Sequence, residues 1–219
     1  MTTSTPLLPD PLPAEPFATF ERWFIEAMDA RATANPNAMC VATVDETGRP
    51  RARIVLCKLI DSTSGHVVFF TNYSSAKGQQ LTATPWAEAV LLFDAQDRQV
   101  RLQGPVVRSP STESDAYFAS RDRDSRIGAW ASQQSQPVDS RDALIDRFTA
   151  TGDRFANGDD VPRPPHWGGW RLWPQRVELW VSGPARIHDR AVWERQVTPH
   201  TDEQGSADTG PWTVTRLQP

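Results

Sequence analysis

A mainly β chain of the α+β class, folded as an antiparallel barrel with helices packed against its outside, is the fold that three observations predict. The 219 residues run as strands, then helices, then strands, which disfavours an alternating strand–helix–strand arrangement. Nine Trp and nine Phe supply bulky apolar surface, and the segments that carry them read as strands. No internal repeat is present, and the late strands have too few partners for a core of their own. Residues 16–219 therefore read as one domain.

Taken in order, residues 1–15 are rich in Pro, Thr and Ser and read as a mobile arm. Over 16–33, Phe17, Phe20, Phe24, Ala27 and Met28 recur at helical spacing, and Asn35-Pro36-Asn37 ends the pattern. Residues 38–44 and 50–60 read as a hairpin turned at Gly48, and 67–71 as a third strand after the polar loop 61–65. A short helix over 73–84 stops at Pro85, and strands over 87–93 and 98–108 follow. The middle turns helical, at 112–120, 124–132 and 141–155, the last with Ser140 as N-cap. A loop over 157–165 leads to strands over 167–173, 177–182 and 185–194. A flexible loop over 198–210 precedes a last strand at 212–217.

Composition bounds the function. A net charge of −4, with arginines interspersed among acids, gives no field to attract nucleic acid or an anionic membrane. Cys40 and Cys57, the two cysteines, lie in strand patterns and read as reduced, buried thiols. With no basic N-terminus followed by an apolar run, and no run of membrane-spanning length, a soluble cytoplasmic protein is expected. Four scattered His and two strand Cys give no metal spacing, so no metal is expected. Neither a Gly-x-Ser-x-Gly elbow nor a phosphate-cradling Gly-rich loop occurs.

Three clusters carry candidate chemistry. The chain has only two lysines, Lys58 and Lys77, against twenty-one arginines. Alternation along Arg53-Ile54-Val55-Leu56-Cys57-Lys58 presents cations from an apolar strand, and Thr71, Ser75 and Lys77 follow at a helix start. That set suits a phosphate monoester, unless the two lysines are ordinary solvated ones. Tyr117, Arg121 and Ser125 are spaced by four, so a continuous helix puts them on one face as a second anion site. An exposed turn stitched by Arg–Asp pairs explains the same run equally well. If 185–194 is a strand, Arg186, His188 and Arg190 share a face. That suits an anionic, proton-exchanging ligand, with a solvated edge strand as the plainer reading.

In this order, the clusters resemble the pyridoxamine 5′-phosphate oxidase family from about residue 17 to 219. The resemblance rests on the run 53–58, Phe69-Phe70-Thr71-Asn72, Arg98-Gln99-Val100, the run 117–135, Trp167-Gly168-Gly169-Trp170-Arg171, Glu178-Leu179-Trp180, the run 186–190 and the terminal Arg216-Leu217-Gln218-Pro219. It implies a split barrel that binds flavin mononucleotide (FMN), in a homodimer with the flavin at the subunit interface. By position it implies flavin contacts from Arg53, Ile54, Val55, Lys58, Phe70, Thr71, Lys77, Gln99, Gln134, Ser135, Trp180 and Arg190. The phosphate of a pyridine substrate would meet Lys58, Tyr117, Arg121 and Ser125, and Arg186 and His188 would sit over the reacting carbon as catalytic residues. The implied reaction oxidises pyridoxamine or pyridoxine 5′-phosphate with O2 as acceptor. Two rivals are a phenazine-type oxidase acting on a reduced tricyclic carboxylate and a non-catalytic binder of flavin or pyridoxal phosphate. The chain departs from the family at Ala76, where Arg is common before the flavin-phosphate Lys, at Phe70 for Tyr, and at Asp122 for Pro.

Overall fold

Apolar spacing dictates the first helix. In α1 (Phe17–Ala30), Phe17, Phe20, Trp23 and Ala27 turn inward, and the helix ends where Arg31 takes a left-handed φ of 47°. The computed structural model describes residues 7–156, 160–200 and 202–219. Within the segment expected as a mobile arm, residues 7–15 are held to the body. Leu8 is buried, its N–H donates to Asp189 at 2.9 Å, and the Pro13 carbonyl accepts from Trp193 Nε1 at 2.8 Å. Residues 1–6 of that expectation lie outside the described residues.

Period-two burial builds the sheet. Strand β1 (Ala38–Val44) buries Met39, Val41 and Thr43 on one face, and β2 (Pro50–Leu56) pairs with it antiparallel across the Gly48 turn, where φ is +78°. The strand expected over 50–60 is two pieces. Cys57 N–H donates to Asn37 O at 2.9 Å, whereas Lys58 N–H donates to Val68 O at 2.8 Å. The chain therefore changes pairing partner between these residues and continues as β3 (Leu59–Asp61) beside β4 (His66–Asn72). Lys58 stands at that junction.

Helix α2 (Ala76–Ala83) starts later than the expected 73, because the Ser75 side chain caps it by accepting from Gly78 N–H. Strands β5 (Trp86–Phe93) and β6 (Arg98–Arg108) follow as expected. β6 is the hinge of the architecture: residues 98–103 pair with β8 (Arg176–Val181), and 106–108 pair with β7 (Trp167–Leu172). At the corner, a Cβ on Gly104 would fall 2.2 Å from Trp173 O, so the bend needs glycine. With β9 (Asp189–Glu194) and β12 (Thr213–Leu217), the main path runs β12-β9-β8-β6-β5-β1-β2. Strands β7, β4 and β3 branch from β6 as the second wall. This is an antiparallel, curled, split-barrel sheet with helices against it. Phe20, Phe69, Met39, Leu91, Leu102 and Trp193 fill its interior, and burying each such side chain contributes about 1.5–3 kcal/mol.

One pair of helices is as expected and two further expectations are corrected. Helices α3 (Ser111–Ala119) and α4 (Arg123–Ala131) match those expected over 112–120 and 124–132, and Asp122 caps the second by accepting from Ser125 N–H at 2.7 Å, so Tyr117, Arg121 and Ser125 do not share one continuous helix. Arg186 and His188 are not in a strand. Pro184–Arg186 forms a 3-10 turn, and β9 begins only at Asp189. Most of the loop expected over 198–210 is a hairpin of β10 (Val197–Pro199) and β11 (Ala207–Thr209), residue 201 lying outside the described residues. Helix α5 (Arg141–Arg154) has the expected Ser140 cap. Of the loop expected over 157–165, residues 157–159 lie outside the described residues.

Candidate active site

The junction at Lys58, the strand β4, the α2 N-terminus and the α3–α4 break converge on one cavity of about 720 Å³. Ten of the expected residues line it: Ile54, Val55, Lys58, Phe70 and Thr71 from the strands, and Lys77, Tyr117, Arg121, Ser125 and Gln134 from the helices and their loops. The helix break does not scatter Tyr117, Arg121 and Ser125; it wraps them around the same space.

The cavity has an aromatic wall. The Phe70 and Tyr117 rings stack at 4.0 Å between centroids, and Trp167 lies near-parallel at 5.5 Å from Phe70. Trp167 was missed as a site residue, although the Trp167-Gly168-Gly169-Trp170 run was noticed. The glycines carry the missed signal: a Cβ on Gly168 would sit 2.0 Å from Tyr73 Oη. Bare backbone is what lets β7 approach so closely.

Two groups of cations face this wall. At one end, Arg121 lies 4.9 Å over the Trp167 ring, and its Nη1 is buried with no hydrogen-bond partner. Burial pulls its guanidinium below the usual arginine range. Lys58 Nζ lies 5.7 Å over the Tyr117 ring. Among the described residues neither forms an ion pair. An orphaned buried donor calls for a hydrogen-bond acceptor, and beside a second cation an anion satisfies both the donor and the charge. Asp122 also borders this end, but its carboxylate is engaged by Ser125 N–H at the start of α4, which holds it below its ordinary range.

At the other end, Lys77 Nζ donates to Gln134 Oε1 at 2.8 Å and Thr71 Oγ1 at 3.0 Å, both neutral. Arg53 stands behind it, with Nη1 on the Val41 carbonyl at 3.1 Å and Nη2 on Gln80 Oε1 at 3.0 Å. Burial, and then the charge of Arg53, lower the Lys77 ammonium to about 8. Two uncompensated cations at a capped helix start make a phosphate cradle. Arg53 therefore supports this end from behind rather than lining the cavity. Ser135 follows Gln134 with a left-handed φ of 72° and is not part of the lining.

The remaining expected residues form a separate group within one protomer. Gln99 of β6 pairs across to Trp180 of β8, which pairs to Arg190 of β9. His188 packs on the Trp180 ring at 4.7 Å, and Arg186 stands two residues before it. Along the main path, β1 and β5 stand between β2 and the nearest member of this group, Gln99, and four strands, β1, β5, β6 and β8, stand between β2 and Arg190. Within one chain these residues do not line the cavity.

Glu178, which sequence reasoning did not assign, organises the second group. It is buried to 2% exposure and accepts from Arg190 Nε at 2.9 Å and Arg101 Nη1 at 3.4 Å. Glu178→Gln removes the charge that Arg101, Arg176 and Arg190 share. It is expected to destabilise the fold by about 1–2 kcal/mol, less than a fully buried pair because the arginines reach solvent. Urea unfolding of the two proteins checks this, and an unchanged midpoint would discount the network.

The fold and site have relatives. Residues 25–154 match the family model described as pyridoxamine 5′-phosphate oxidase, and 167–219 match one described as a pyridoxine 5′-phosphate oxidase C-terminal dimerisation region. A pyridoxine/pyridoxamine 5′-phosphate oxidase of Gloeothece citriformis is 50% identical over 179 residues, 82% of each chain. That of Burkholderia lata is 47% identical over 206 residues, 94% of this chain and 89% of the relative. The crystal structure of PhzG from Burkholderia lata, in complex with tetrahydrophenazine-1-carboxylic acid, superposes with a TM-score of 0.84 at 31% identity over 99% of both chains. A pyridoxamine 5′-phosphate oxidase-related, FMN-binding protein of Nostoc punctiforme has the same fold, with a TM-score of 0.69 at 18% identity over 94% of this chain and 98% of that one. Among the described residues, no helix is long and apolar enough to cross a membrane.

Proposed function

The chain belongs to the pyridoxamine 5′-phosphate oxidase family and binds FMN, and from that premise we propose that it is a cytoplasmic, homodimeric oxidase of pyridoxamine and pyridoxine 5′-phosphates. It yields pyridoxal 5′-phosphate with O2 as acceptor, releasing H2O2; from the amine the first product is an imine, which water hydrolyses to the aldehyde and ammonia. One observation carries the reading: one aromatic-walled cavity is lined by Arg121 and Lys58 and, separately, by Lys77 with Arg53 behind it, and among the described residues none of the four forms an ion pair with a carboxylate. A cofactor and a substrate that each bear a phosphate ester match two such ends.

Bound FMN supplies the electron acceptor. Lys77, Thr71 and Gln134, backed by Arg53, would hold its phosphate. Lys58, Tyr117, Arg121 and Ser125 grip the substrate phosphate, so binding energy remote from the reacting carbon orients the pyridine ring. Gln99, Trp180 and Arg190 of a second copy complete the flavin site, and that copy's Arg186 and His188 cover the reacting carbon. The dimerisation region matched at 167–219 carries all but Gln99 of this second set.

PhzG motivates a second reading, oxidation of a reduced tricyclic carboxylate. The chain is 47% identical to the pyridoxine/pyridoxamine oxidase of Burkholderia lata against 31% to PhzG of the same organism, which favours the phosphate ester. The test is anaerobic: purified yellow protein is mixed with pyridoxamine phosphate, pyridoxine phosphate or a dihydrophenazine carboxylate. Bleaching by the first two at low concentration is expected. Bleaching by the tricyclic acid alone would replace the reading, and a colourless protein that binds pyridoxal phosphate would make it a carrier.

A further inference from the structure

We propose that the Gly183–His188 loop fixes the tautomer of His188, so that its imidazole faces the site as a hydrogen-bond donor through Nε2–H and is not the base. That His188 meets substrate rests on the reading above; the tautomer does not. The Gly183 backbone N–H donates to His188 Nδ1 at 3.2 Å. A neutral imidazole carries one N–H and one acceptor nitrogen. With Nδ1 committed as acceptor, the proton resides on Nε2.

The loop is shaped to make that contact. A Cβ on Gly183 would fall 1.9 Å from Ile187 O, so only glycine lets the chain fold back this closely. Ile187 N–H closes the turn onto Pro184 O at 3.0 Å. Ala185 and Arg186 both adopt left-handed backbone, with φ of 53° and 63°, a pairing that side-chain-bearing residues rarely show. The Trp180 ring flanks the imidazole at 4.7 Å and limits its rotation. Gly183 is thus a positioning residue acting through His188. A donor at Nε2 recognises a lone pair on the substrate, and removal of a substrate proton falls to another group or to solvent.

Two measurements test this on the FMN-loaded dimer. Protein labelled with ring-15N histidine, at about pH 8 and so above the ordinary imidazole range, should give a pyridine-like Nδ1 and a pyrrole-like Nε2 for the signal that disappears in His188→Gln. The Gln amide nitrogen reaches the Nε2 position, whereas that of Asn reaches only Nδ1. His188→Gln is therefore expected to keep kcat/KM about ten-fold above His188→Asn. A spectrum with the proton on Nδ1 overturns the proposal whatever the kinetics, and Asn equal to or better than Gln overturns the donor role. The expected spectrum with wild-type turnover in both variants keeps the tautomer but removes His188 from the site, so the two failures are told apart.

Discussion

Lys58→Ala and Arg186→Ala are each expected to lose about ten- to a hundred-fold in kcat/KM, and mixing the two impaired proteins is expected to restore about a quarter of wild-type activity. The losses follow from removing one charge-assisted contact to an anionic ligand. The restoration follows from topology. Lys58 lines the cavity beside β2, Arg186 lies in the turn before β9, and four strands stand between them in one chain. If each active site draws Lys58 from one protomer and Arg186 from the other, a heterodimer has one site with both lesions and one with neither. Random exchange makes half the dimers heterodimers, which sets the recovered fraction. The measurement is turnover after mild dissociation and reassociation of the mixed variants. Two proteins that stay inactive after verified exchange would place both residues within one protomer's site, or neither in any.

That division of the site explains what the sequence could and could not disclose. Alternation along β1, β5 and β6 marked the barrel, because a strand with one face on the core must repeat with period two. It could not mark the switch at Cys57–Lys58, since the apolar run 54–57 resumes at Leu59 and Ile60 as one strand would while the hydrogen bonds change partner. Spacing by four joined Tyr117, Arg121 and Ser125 on an assumed helix. The Asp122 cap breaks that helix, and tertiary packing brings the same residues together by another route. Arg186 and His188 looked like strand residues because i, i+2 spacing is blind to a left-handed turn in non-glycine residues. Glu178 escaped notice because a carboxylate inside a strand looks solvated until Arg101 and Arg190 from the neighbouring strands, and Arg176 from its own, are seen to close on it.

Lys77→Met is expected to weaken FMN binding by about ten- to a hundred-fold, the worth of one ammonium–phosphate contact at a partly buried site. The loss should be large because relatives of this family commonly carry Arg at the position of Ala76, and here that cation is missing. Lys77 and Arg53 are left to balance the phosphate with the α2 N-terminus. The pH dependence gives a second, independent signature. Burial and the Arg53 charge lower Lys77 to about 8 in the flavin-free protein, against an ordinary 10.5. Between those values the unfolded chain binds more protons than the folded one, so Lys77 makes the flavin-free protein more stable as pH rises through this window. FMN affinity runs the other way: above about pH 8 the flavin-free protein has lost this ammonium, and binding must take up a proton to restore it. Tyr73 and Cys57, both pushed up by burial, titrate alike in wild type and variant, so the difference between the two proteins isolates Lys77. Fluorescence titration of FMN and urea unfolding of the flavin-free protein from about pH 7 to pH 10 would measure both trends. Parallel curves for wild type and Lys77→Met, in affinity and in stability, would remove Lys77 from the phosphate cradle and leave the helix start and Arg53 as its anion-binding groups.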